Sequence, residues 1–475
     1  MIDSPPRRFS PAALTITSPP AQDGGALTRI CRMQLVYTPG TPPVQVVALG
    51  IGSLVLGRDP GPGGFELPDG EVSRMHARIE RDDSGAGWRI VDAGSRNGIL
   101  VDGKVTTKAP LQHGSVVRMG SSLLLYLEHE LAANEVLHPE NSGLRGQSVA
   151  LQRVRGDIAL VAPRNTSVLI VGETGVGKER VAAEIHRQSG RSGRYVTLNC
   201  AAIPENLAEN ELFGHAAGAF TGATGRSEGL FQAAHGGTLF LDEVGELDPT
   251  VQAKLLRVLA TGEVRPIGST QVVPVDVRVI AATHRDVRQQ AEDPEGKFRA
   301  DLFARLSAWV IAVPALRERR EDILPLAESF SMESSAPMPL SAGAAEALLL
   351  HPWPFNVREL RHIIEAASLR AQSVRVIRPE HLPEELAARV RRSSATPAGH
   401  SAPPLELLID RSATPSREVL LKVMTHFGGS VLQVADFFGR HRRQVYRWLD
   451  RYEIDPEVIR DGEAAAEPDG DAPDR

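Results

Sequence analysis

The amino-acid sequence predicts a multidomain protein in which an all-β sandwich precedes an α/β domain with a helical lid, and an all-α region follows. Short apolar runs separated by Gly, Pro and Asp continue to about Glu128, a spacing typical of a sandwich. From about residue 143 apolar strands alternate with helical patterns, which indicates a parallel sheet. After Pro314 the pattern is helical, and a chain of 475 residues is too long for one core.

Individual elements follow from the same patterns. In the sandwich we expect strands at Met33–Tyr37, Ser53–Leu56, Ala77–Glu80, Trp88–Val91 and Leu123–Leu127. In the α/β domain we expect strands at Ser167–Val171, Thr238–Leu241 and Asp276–Ala282, and a helix from Lys178. The predicted segments are a leader (1–28), the sandwich (29–128), a linker (129–142), the α/β domain (143–386, lid from about 315), a linker (387–415), a helical segment (416–456) and an acidic tail (457–475).

Composition and charge narrow the class of protein. The chain is 42% hydrophobic and 24% charged, as in ordinary globular proteins, and its two cysteines, Cys31 and Cys200, lack metal-ligand spacing. Without an apolar leader or spanning stretch, we expect a cytoplasmic protein that does not contact a membrane. Seven acidic residues against two basic ones in 457–475 account for most of the net charge of −6, whereas five arginines face one aspartate between Arg440 and Arg451. A local basic patch for nucleic acid therefore remains.

A phosphate-binding loop follows the first strand of the α/β domain. Its glycines let backbone N–H groups converge on phosphate oxygens at a helix N-terminus, and Lys178 supplies charge for the β- and γ-phosphates of ATP. Glu179 stands where a Ser or Thr ligand to Mg²⁺ is general. The loop comprises Gly172, Glu173, Thr174, Gly175, Val176, Gly177, Lys178 and Glu179.

Two acids end the next apolar strand, in Leu239–Glu243. Asp242 is expected to hold Mg²⁺ through water, and Glu243 to polarise the attacking water. Alone, such a pair is more often a solvated turn. The phosphate-binding loop upstream favours the catalytic interpretation.

Between these two motifs lies a Gly-rich loop with an apolar tip, Gly218, Ala219, Phe220, Thr221, Gly222 and Ala223. An ordinary Gly/Ala-rich loop is the alternative. The order of the three motifs resembles that of the sigma-54-dependent transcription activators, or bacterial enhancer-binding proteins, whose AAA+ ATPase touches the sigma factor through such a loop. In that family the Lys178–Glu179 ending is usual, whereas Ala216 stands where an acidic residue is common, which leaves the tuning of the loop open.

The resemblance implies further roles near the acids. Asn199 matches the residue that restrains the catalytic glutamate until the sigma factor is contacted. Thr283 and His284, at the end of a strand, match the first sensor of the nucleotide.

It also implies roles for three arginines. Arg299 and Arg305 match arginine fingers that reach the nucleotide of a neighbouring subunit, and Arg358 matches the second sensor on the lid. The alternative for each is a surface ion pair worth under about 1 kcal/mol. Fingers that act on a neighbour require a ring, so the resemblance implies a homo-oligomer, a hexamer as in the family.

In the sandwich, four residues occur in the order seen in forkhead-associated (FHA) domains, which bind phosphothreonine peptides. Arg58 and Arg74 can form charge-assisted bonds to phosphate, Ser73 can donate another, and Asn97 can hold the peptide backbone. His76 is expected to be a buried support for the loop. An FHA fold that has lost phosphate binding is the alternative.

The helical segment at 429–449 resembles a Fis-type helix-turn-helix. Val431, Val434, Ala435 and Phe438 form an apolar face on its first helix, and Val445 and Leu449 pack the second. A plain helical hairpin with a basic face is the alternative. The residues expected to face DNA are His441, Arg442, Arg443, Gln444, Tyr446 and Arg447.

Together these features predict an ATP-driven activator of transcription. Its expected partners are the sigma-54 RNA polymerase holoenzyme, enhancer DNA and a phosphothreonine-containing protein or Ser/Thr kinase, with ATP and Mg²⁺ as cofactors. Two other functions stay open. One is a phosphopeptide-binding scaffold with a vestigial ATPase, which the set Lys178, Asp242, Glu243, Arg299 and Arg305 disfavours. The other is an AAA+ remodeller outside transcription, which the Gly218–Ala223 loop and the C-terminal helix-turn-helix together disfavour.

Overall fold

A computed structural model describes residues 27–40, 45–50, 52–85, 87–132, 135–138, 143–219, 225–293, 295–334, 337–394, 414–427, 429–438, 440 and 442–455. The chain forms two compact units, Met1–Thr396 and Pro397–Arg475, and each is described by itself. Within the described ranges no helix has the length and apolar character needed to cross a membrane. The predicted acidic tail, 457–475, lies outside them.

The first unit begins with a two-layer β-sandwich. One sheet has the order β2-β1-β11-β10-β7-β8 and the other β4-β3-β5-β6-β9. The strands are β1 Leu27–Tyr37, β2 Gln45–Ala48, β3 Leu54–Gly57, β4 Phe65–Glu66, β5 Ala77–Arg81, β6 Trp88–Asp92, β7 Ile99–Val101, β8 Lys104–Thr106, β9 Lys108–Leu111, β10 Val116–Met119 and β11 Ser122–Ala132.

The sandwich extends beyond both predicted boundaries. The predicted leader and linker each contribute strand residues, because Leu27 of β1 pairs with Ala132 of β11 in an antiparallel ladder. Neither terminal stretch has the alternation of apolar residues by which strands were predicted, since the outer ends of both strands are largely exposed. Their strand conformation comes from the ladder hydrogen bonds instead.

The α/β domain carries a five-stranded parallel sheet of order β13-β16-β19-β12-β20, with apolar cores on both faces. Near-continuous apolar strands are what burial on both faces demands. Its elements are α1 Val149–Val161, β12 Val168–Val171, α2 Lys178–Gln188, β13 Tyr195–Asn199, α3 Glu205–Phe213, β14 Gly214–His215, β15 Ser227–Glu228, α4 Leu230–Ala233, β16 Thr238–Asp242, α5 Pro249–Thr261, β17 Glu263–Val264, β18 Val273–Pro274, β19 Arg278–Thr283, α6 Val287–Glu292, α7 Ala300–Leu306 and β20 Trp309–Ala312.

Four helices form the predicted lid: α8 Ile323–Glu333, α9 Ala342–Leu350, α10 Asn356–Arg370 and α11 Glu384–Ser394. The linker predicted from residue 387 is wrong over its first eight residues, 387–394, which belong to α11. Ala387 and Val390 are buried there, and Val390 joins the lid core. Burial of this apolar face holds the chain helical despite its polar composition.

The second unit is the predicted all-α region, with helices α12 Arg417–His426, α13 Val431–Phe437 and α14 Arg442–Arg451. Val434, Ala435 and Phe438 pack with Val445 and Leu449, as the apolar spacing predicts. Trp448 contributes the largest side chain of this core, edge-on to Phe438 with ring centroids 5.5 Å apart.

Candidate functional site

The predicted catalytic residues meet where the parallel strands of the α/β sheet end. Asn199 at the end of β13 pairs with Asp242 at the end of β16, and Thr283 of β19 pairs with Val171 of β12, just before the phosphate-binding loop. Ligands of open parallel sheets bind at these carboxyl ends.

The phosphate-binding loop is closed by the lid. Gly175 has φ 80°, and a Cβ there would lie 2.2 Å from the carbonyl oxygen of Phe355. Both the backbone conformation and the close contact therefore require glycine at this position. The same Gly175 carbonyl accepts a hydrogen bond from the backbone N–H of Val357 at 3.0 Å. The lid helix α10 therefore begins against the loop.

Loop, strand ends and lid enclose one cavity of about 490 Å³, within the range of about 300–1,000 Å³ typical of ligand sites. Lys178 is buried, and its Nζ donates to the carbonyl oxygen of Gly172 at 3.0 Å. Of the predicted residues, the lining includes Thr174, Gly175, Val176, Gly177, Lys178, Glu179, Asn199, Asp242, Glu243 and Arg358.

The two acids have opposite electrostatic environments. Burial, followed by the charge of Glu243, raises the pKa of Asp242. Burial also opposes ionisation of Glu243, but the hydrogen bond from His284 and the charge of Lys178 together lower its pKa. A divalent cation would relieve the repulsion at Asp242, and an oxygen ligand of this kind suits Mg²⁺. Among the described residues no three His, Cys, Asp or Glu side chains form a metal site.

Glu243 is held by His284, a contact that the sequence analysis did not predict. Its Oε2 accepts hydrogen bonds from the backbone N–H of His284 at 3.2 Å and from Nδ1 of its ring at 2.6 Å. Its Oε1 lies 3.4 Å from Lys178 Nζ. Glu243 has φ 53°, an unfavourable backbone conformation for a residue with a Cβ, and such strain clusters at functional sites.

Asn199 and Thr283 lie at the same strand ends as Glu243, but the hydrogen bonds that their side chains accept come from nearby backbone N–H groups. Asn199 lines the cavity, and its Oδ1 accepts from the backbone N–H of Ala201 at 3.0 Å. Thr283 is fully buried, and its Oγ1 accepts from the backbone N–H of Arg285 at 3.0 Å. Their roles toward Glu243 and the nucleotide stay predictions.

On the lid, the structure adds Asn356 to the predicted Arg358. Asn356 Nδ2 donates to Glu173 Oε2 and to the Thr174 carbonyl oxygen, both at 3.0 Å. Arg317 binds the same Glu173 carboxylate. The hydrogen bonds from Arg317 and Asn356 lower the pKa of Glu173 to about 2. Asn356 is fully buried and has φ 53°, which asparagine tolerates better than most residues.

The predicted arginine fingers lie away from the cavity of their own chain. Arg299 precedes α7, is half-exposed and forms a bidentate ion pair with Asp301 at 2.8–3.0 Å. Arg305 is exposed on α7. Within the described part of the chain the cavity lining includes neither arginine.

The phosphopeptide residues predicted in the sandwich converge at one end of it. The backbone N–H of Arg58 donates to the Ser73 carbonyl oxygen at 3.0 Å. Gly57 allows this approach, because a Cβ there would lie 1.9 Å from the Arg74 carbonyl oxygen. The Arg58 and Arg74 side chains are exposed, as phosphate recognition requires.

His76 supports this end, as predicted. It is fully buried, its Nδ1 accepts from the Ser73 backbone N–H at 3.0 Å, and its Nε2 therefore carries the proton and donates to the Gly98 carbonyl oxygen at 2.9 Å. Asn97 is exposed, and its Nδ2 donates to the Glu71 carbonyl oxygen at 2.7 Å.

Two predicted contact regions are described in part. In the sigma-contact loop, Gly218 and Ala219 lie in the connection between β14 and β15, whereas Phe220, Thr221, Gly222 and Ala223 lie outside the described residues. On α14 the side chains of Arg442, Arg443, Tyr446 and Arg447 are exposed, Gln444 is half-buried, and His441 lies outside the described residues.

Family models match four stretches of the chain. They are a sigma-54 interaction domain over 144–312, an AAA+ ATPase lid domain over 317–398, an FHA domain over 54–120 and a homeodomain-like domain over 417–464. The order of the four agrees with the predicted fold class.

Curated relatives are transcription regulators. Nitric oxide reductase transcription regulator NorR2 of Cupriavidus necator is 53% identical over 234 residues, which cover 48% of this chain and 44% of the relative. Transcriptional regulatory protein ZraR of Escherichia coli K12 is 42% identical over 315 residues, covering 65% of this chain and 68% of the relative. A crystal structure of NtrX from Brucella abortus in complex with ATP is 34% identical, with coverage of 66% and 70% and a TM-score of 0.48.

The chain spans about half the length of NorR2 and of the related NorR1, but more than two thirds of ZraR. The shared part holds the phosphate-binding loop, the two acids and the Gly218–Ala223 motif. The chain therefore belongs to the sigma-54-dependent transcription regulators, with an FHA domain before its AAA+ domain and a helix-turn-helix region after its lid.

Proposed function

We propose that the protein hydrolyses ATP to remodel the sigma-54 RNA polymerase holoenzyme at promoters to which its helix-turn-helix recruits it. One observation carries the proposal: Lys178, Asp242, Glu243 and Arg358 line one cavity in the domain that bears the Gly218–Ala223 motif. The presence of the lysine, both acids and the lid arginine around one cavity disfavours a vestigial ATPase.

Each of these residues has a distinct role in the proposed hydrolysis. Lys178 neutralises the β- and γ-phosphates, and Arg358 adds positive charge from the lid. Mg²⁺ supplies further charge neutralisation when bound, with Asp242 as its water-mediated ligand. Glu243 polarises the attacking water.

In the structure, the Glu243 carboxylate is not free to polarise a water molecule. Both of its oxygens are engaged, Oε2 by His284 and Oε1 by Lys178. We infer that His284 keeps Glu243 in a resting position, and that this hydrogen bond breaks before water is activated. The left-handed backbone of Glu243 favours such a change, because a shift to a relaxed conformation would release strain.

Thr221→Ala tests the contact with the sigma factor. Open-complex formation at a sigma-54 promoter is expected to be lost, while ATP turnover and DNA binding stay within a few-fold of wild type, because Thr221 lies in the motif assigned to the sigma factor and not in the phosphate-binding loop or the acidic strand end. Promoter opening is followed by permanganate footprinting, and turnover by phosphate release. An equal loss of turnover would assign the loop to folding or assembly.

We propose that the FHA domain reads phosphothreonine on a partner, a kinase or the protein itself. The support is the clustering of Arg58, Ser73 and Arg74 at one end of the sandwich, with the two arginines exposed. Phosphate offers the charge-assisted bonds that such a cluster prefers.

Arg58→Ala is expected to weaken phosphothreonine-peptide binding by about ten- to a hundredfold, because removing one charged partner typically costs about 1.5–3 kcal/mol. Calorimetry with matched phosphorylated and unphosphorylated peptides measures the effect. Arg78→Ala is the control, since Arg78 is exposed on β5 outside the loops. If wild-type protein binds both peptides equally, the domain docks without reading phosphate.

The basic face of α14 is proposed to bind enhancer DNA. Arg443 and Arg447 are exposed on the side opposite to the buried Val445 and Leu449, and Arg442 is exposed in the first turn of the helix. This places their guanidinium groups where phosphates and guanine edges of a major groove can be reached.

A further inference from the structure

Strand β11 of the FHA sandwich is apolar on both faces over Leu123–Leu127. Leu124 and Tyr126 point into the sandwich core, whereas Leu123, Leu125 and Leu127 belong to the core of the lid. All five side chains are fully buried. A reader domain tethered by a flexible linker would expose its outer face to water, where alternation of apolar and polar residues is the rule. The FHA domain and the lid instead share one hydrophobic core.

Polar contacts also join the FHA domain to the lid. Tyr37 donates its hydroxyl to the Leu340 carbonyl oxygen at 2.9 Å, and Arg320 Nη1 donates to the Gly114 carbonyl oxygen at 2.8 Å. The third contact is an ion pair of 2.6 Å between Arg118 Nη1 on β10 and Glu346 Oε2 on α9.

Arg118 is the counter-ion that makes this burial tolerable. The Glu346 side chain is 1% exposed, and within the described residues its Oε1 has no hydrogen-bond partner. Loss of Arg118 alone would leave a buried carboxylate uncompensated. The position of α9 relative to the FHA domain therefore depends on Arg118.

Arg118 also contacts the end of the sandwich that carries the phosphopeptide residues. Its Nε donates to the Gly120 carbonyl oxygen at 2.9 Å, in the turn between β10 and β11. The next residue, Ser121, donates its backbone N–H to Asp69 Oδ2 at 2.8 Å and its hydroxyl to Glu71 Oε2 at 2.7 Å. The Glu71 carbonyl oxygen in turn accepts from Asn97.

On the lid side, α9 leads to the phosphate-binding loop through fixed contacts. The Leu348 carbonyl oxygen accepts from Trp353 Nε1 at 3.0 Å, and the Trp353 carbonyl oxygen accepts from the Asn356 backbone N–H at 2.9 Å. Asn356 then donates to the Thr174 carbonyl oxygen. Trp353 and Asn356 are fully buried, so their close packing leaves this segment little freedom to absorb a displacement.

We propose that the FHA domain is docked on the ATPase lid as its regulatory partner, and that the Arg118–Glu346 contact couples phosphothreonine recognition to nucleotide binding. The inference rests on the proposed nucleotide and phosphothreonine sites. A nucleotide that repositions the lid through Arg358 and the phosphate-binding loop must displace α9, and with it Arg118 and the β10–β11 turn. By linkage, a phosphopeptide that biases this turn changes nucleotide affinity by the same factor.

A chain of contacts does not by itself establish coupling, so the first experiment measures coupling without any peptide. Amide hydrogen exchange of the full chain is compared with and without Mg-ATPγS. In wild type, exchange at Gly120–Ser122 and Asp69–Glu71 is expected to change by at least about fivefold, the lower end of usual allosteric coupling. Unchanged exchange there, at a nucleotide concentration that protects the phosphate-binding loop, overturns the proposal.

Variants assign the coupling to the ion pair. Arg118→Gln is expected to abolish the exchange change while Mg-ATPγS affinity stays within a few-fold, since neither Arg118 nor Glu346 lines the nucleotide cavity. The double variant Arg118→Leu/Glu346→Leu covers the case in which the single variant does not fold, because it leaves no buried charge unpaired. Arg89→Gln is the matched control, as Arg89 pairs at 2.9 Å with Glu80, a residue of the same domain, on the neighbouring strand. A loss of coupling in Arg89→Gln equal to that in the other variants would overturn the assignment to Arg118.

A peptide arm separates this proposal from the proposed function. The probe is a synthetic peptide mixture with a fixed phosphothreonine and degenerate flanks, titrated with and without Mg-ATPγS. Wild-type affinity is expected to differ by about five- to 150-fold between the two conditions, and the Leu double variant to bind the mixture with no such difference. Equal nucleotide effects in wild type and the double variant overturn the proposal. If wild type fails to bind the mixture and the exchange change persists, phosphothreonine reading is wrong while the docked coupling to nucleotide stands.

Discussion

Glu243→Gln is expected to lower ATP turnover by about 10²–10⁴-fold, the usual contribution of a general base. Glutamine keeps the shape of the side chain and one acceptor oxygen but cannot take a proton from water. Nucleotide affinity should stay within a few-fold of wild type, because Lys178 and the phosphate-binding loop are unchanged. The variant should therefore be a stable trap for the ATP-bound state.

Steady-state phosphate release and equilibrium titration with Mg-ATP measure the two quantities on the same preparation. Glu246→Gln is the control, since Glu246 lies three residues further on and forms an ion pair with Arg285. Turnover of Glu243→Gln within a few-fold of wild type would remove Glu243 from the catalytic role.

Arg299→Ala is expected to lower ATP turnover by as much as about 10³–10⁵-fold, the range for an arginine finger. The same is expected for Arg305→Ala. Both arginines lie outside the cavity of their own chain, and Arg299 is engaged with Asp301 at its surface. A contribution of this size is possible only if a neighbouring subunit presents the arginine to the nucleotide. Arg288→Ala is the control, because Arg288 is an exposed arginine paired with Glu292 on α6.

Mixing two inactive variants tests whether the arginine acts between subunits. In a ring built from Arg299→Ala and Glu243→Gln chains, roughly one interface in four joins an intact Glu243 to an intact Arg299 if assembly is random and head-to-tail. Turnover is therefore expected to recover partly on mixing, and to follow the fraction of mixed rings measured by native mass spectrometry. If native mass spectrometry detects mixed rings but the mixture shows no ATP turnover above that of the separate variants, Arg299 is not a finger that acts between subunits.

The sequence predicted the fold class and the eight strands that it named, because burial leaves periodic traces. It misplaced three boundaries, at Leu27, at Ala132 and at the end of α11. In each case the extra residues are held by partners distant in sequence: the outer ends of β1 and β11 by each other, and α11 by the lid core. Local composition does not record such partners.

Within the candidate site, the motif residues could be predicted because phosphate chemistry demands particular residue types at fixed spacing. Lys178, Asp242 and Glu243 are of this kind. His284 and Asn356 were not predicted to hold Glu243 and Glu173, since each contact joins segments far apart in the chain.

By itself, the sequence determined that the chain carries an FHA domain, an AAA+ domain with its lid and a helix-turn-helix region, because each has motifs whose chemistry depends on local order. Only the tertiary structure decided that the FHA domain and the lid share a core. The run Leu123–Leu127 was predicted only as a strand of the sandwich, and nothing in its own sequence identifies what covers its second face. Hydrophobic burial is non-directional, so the partner was settled by the fit of lid helices α8 and α9 and by the pairing of Arg118 with Glu346.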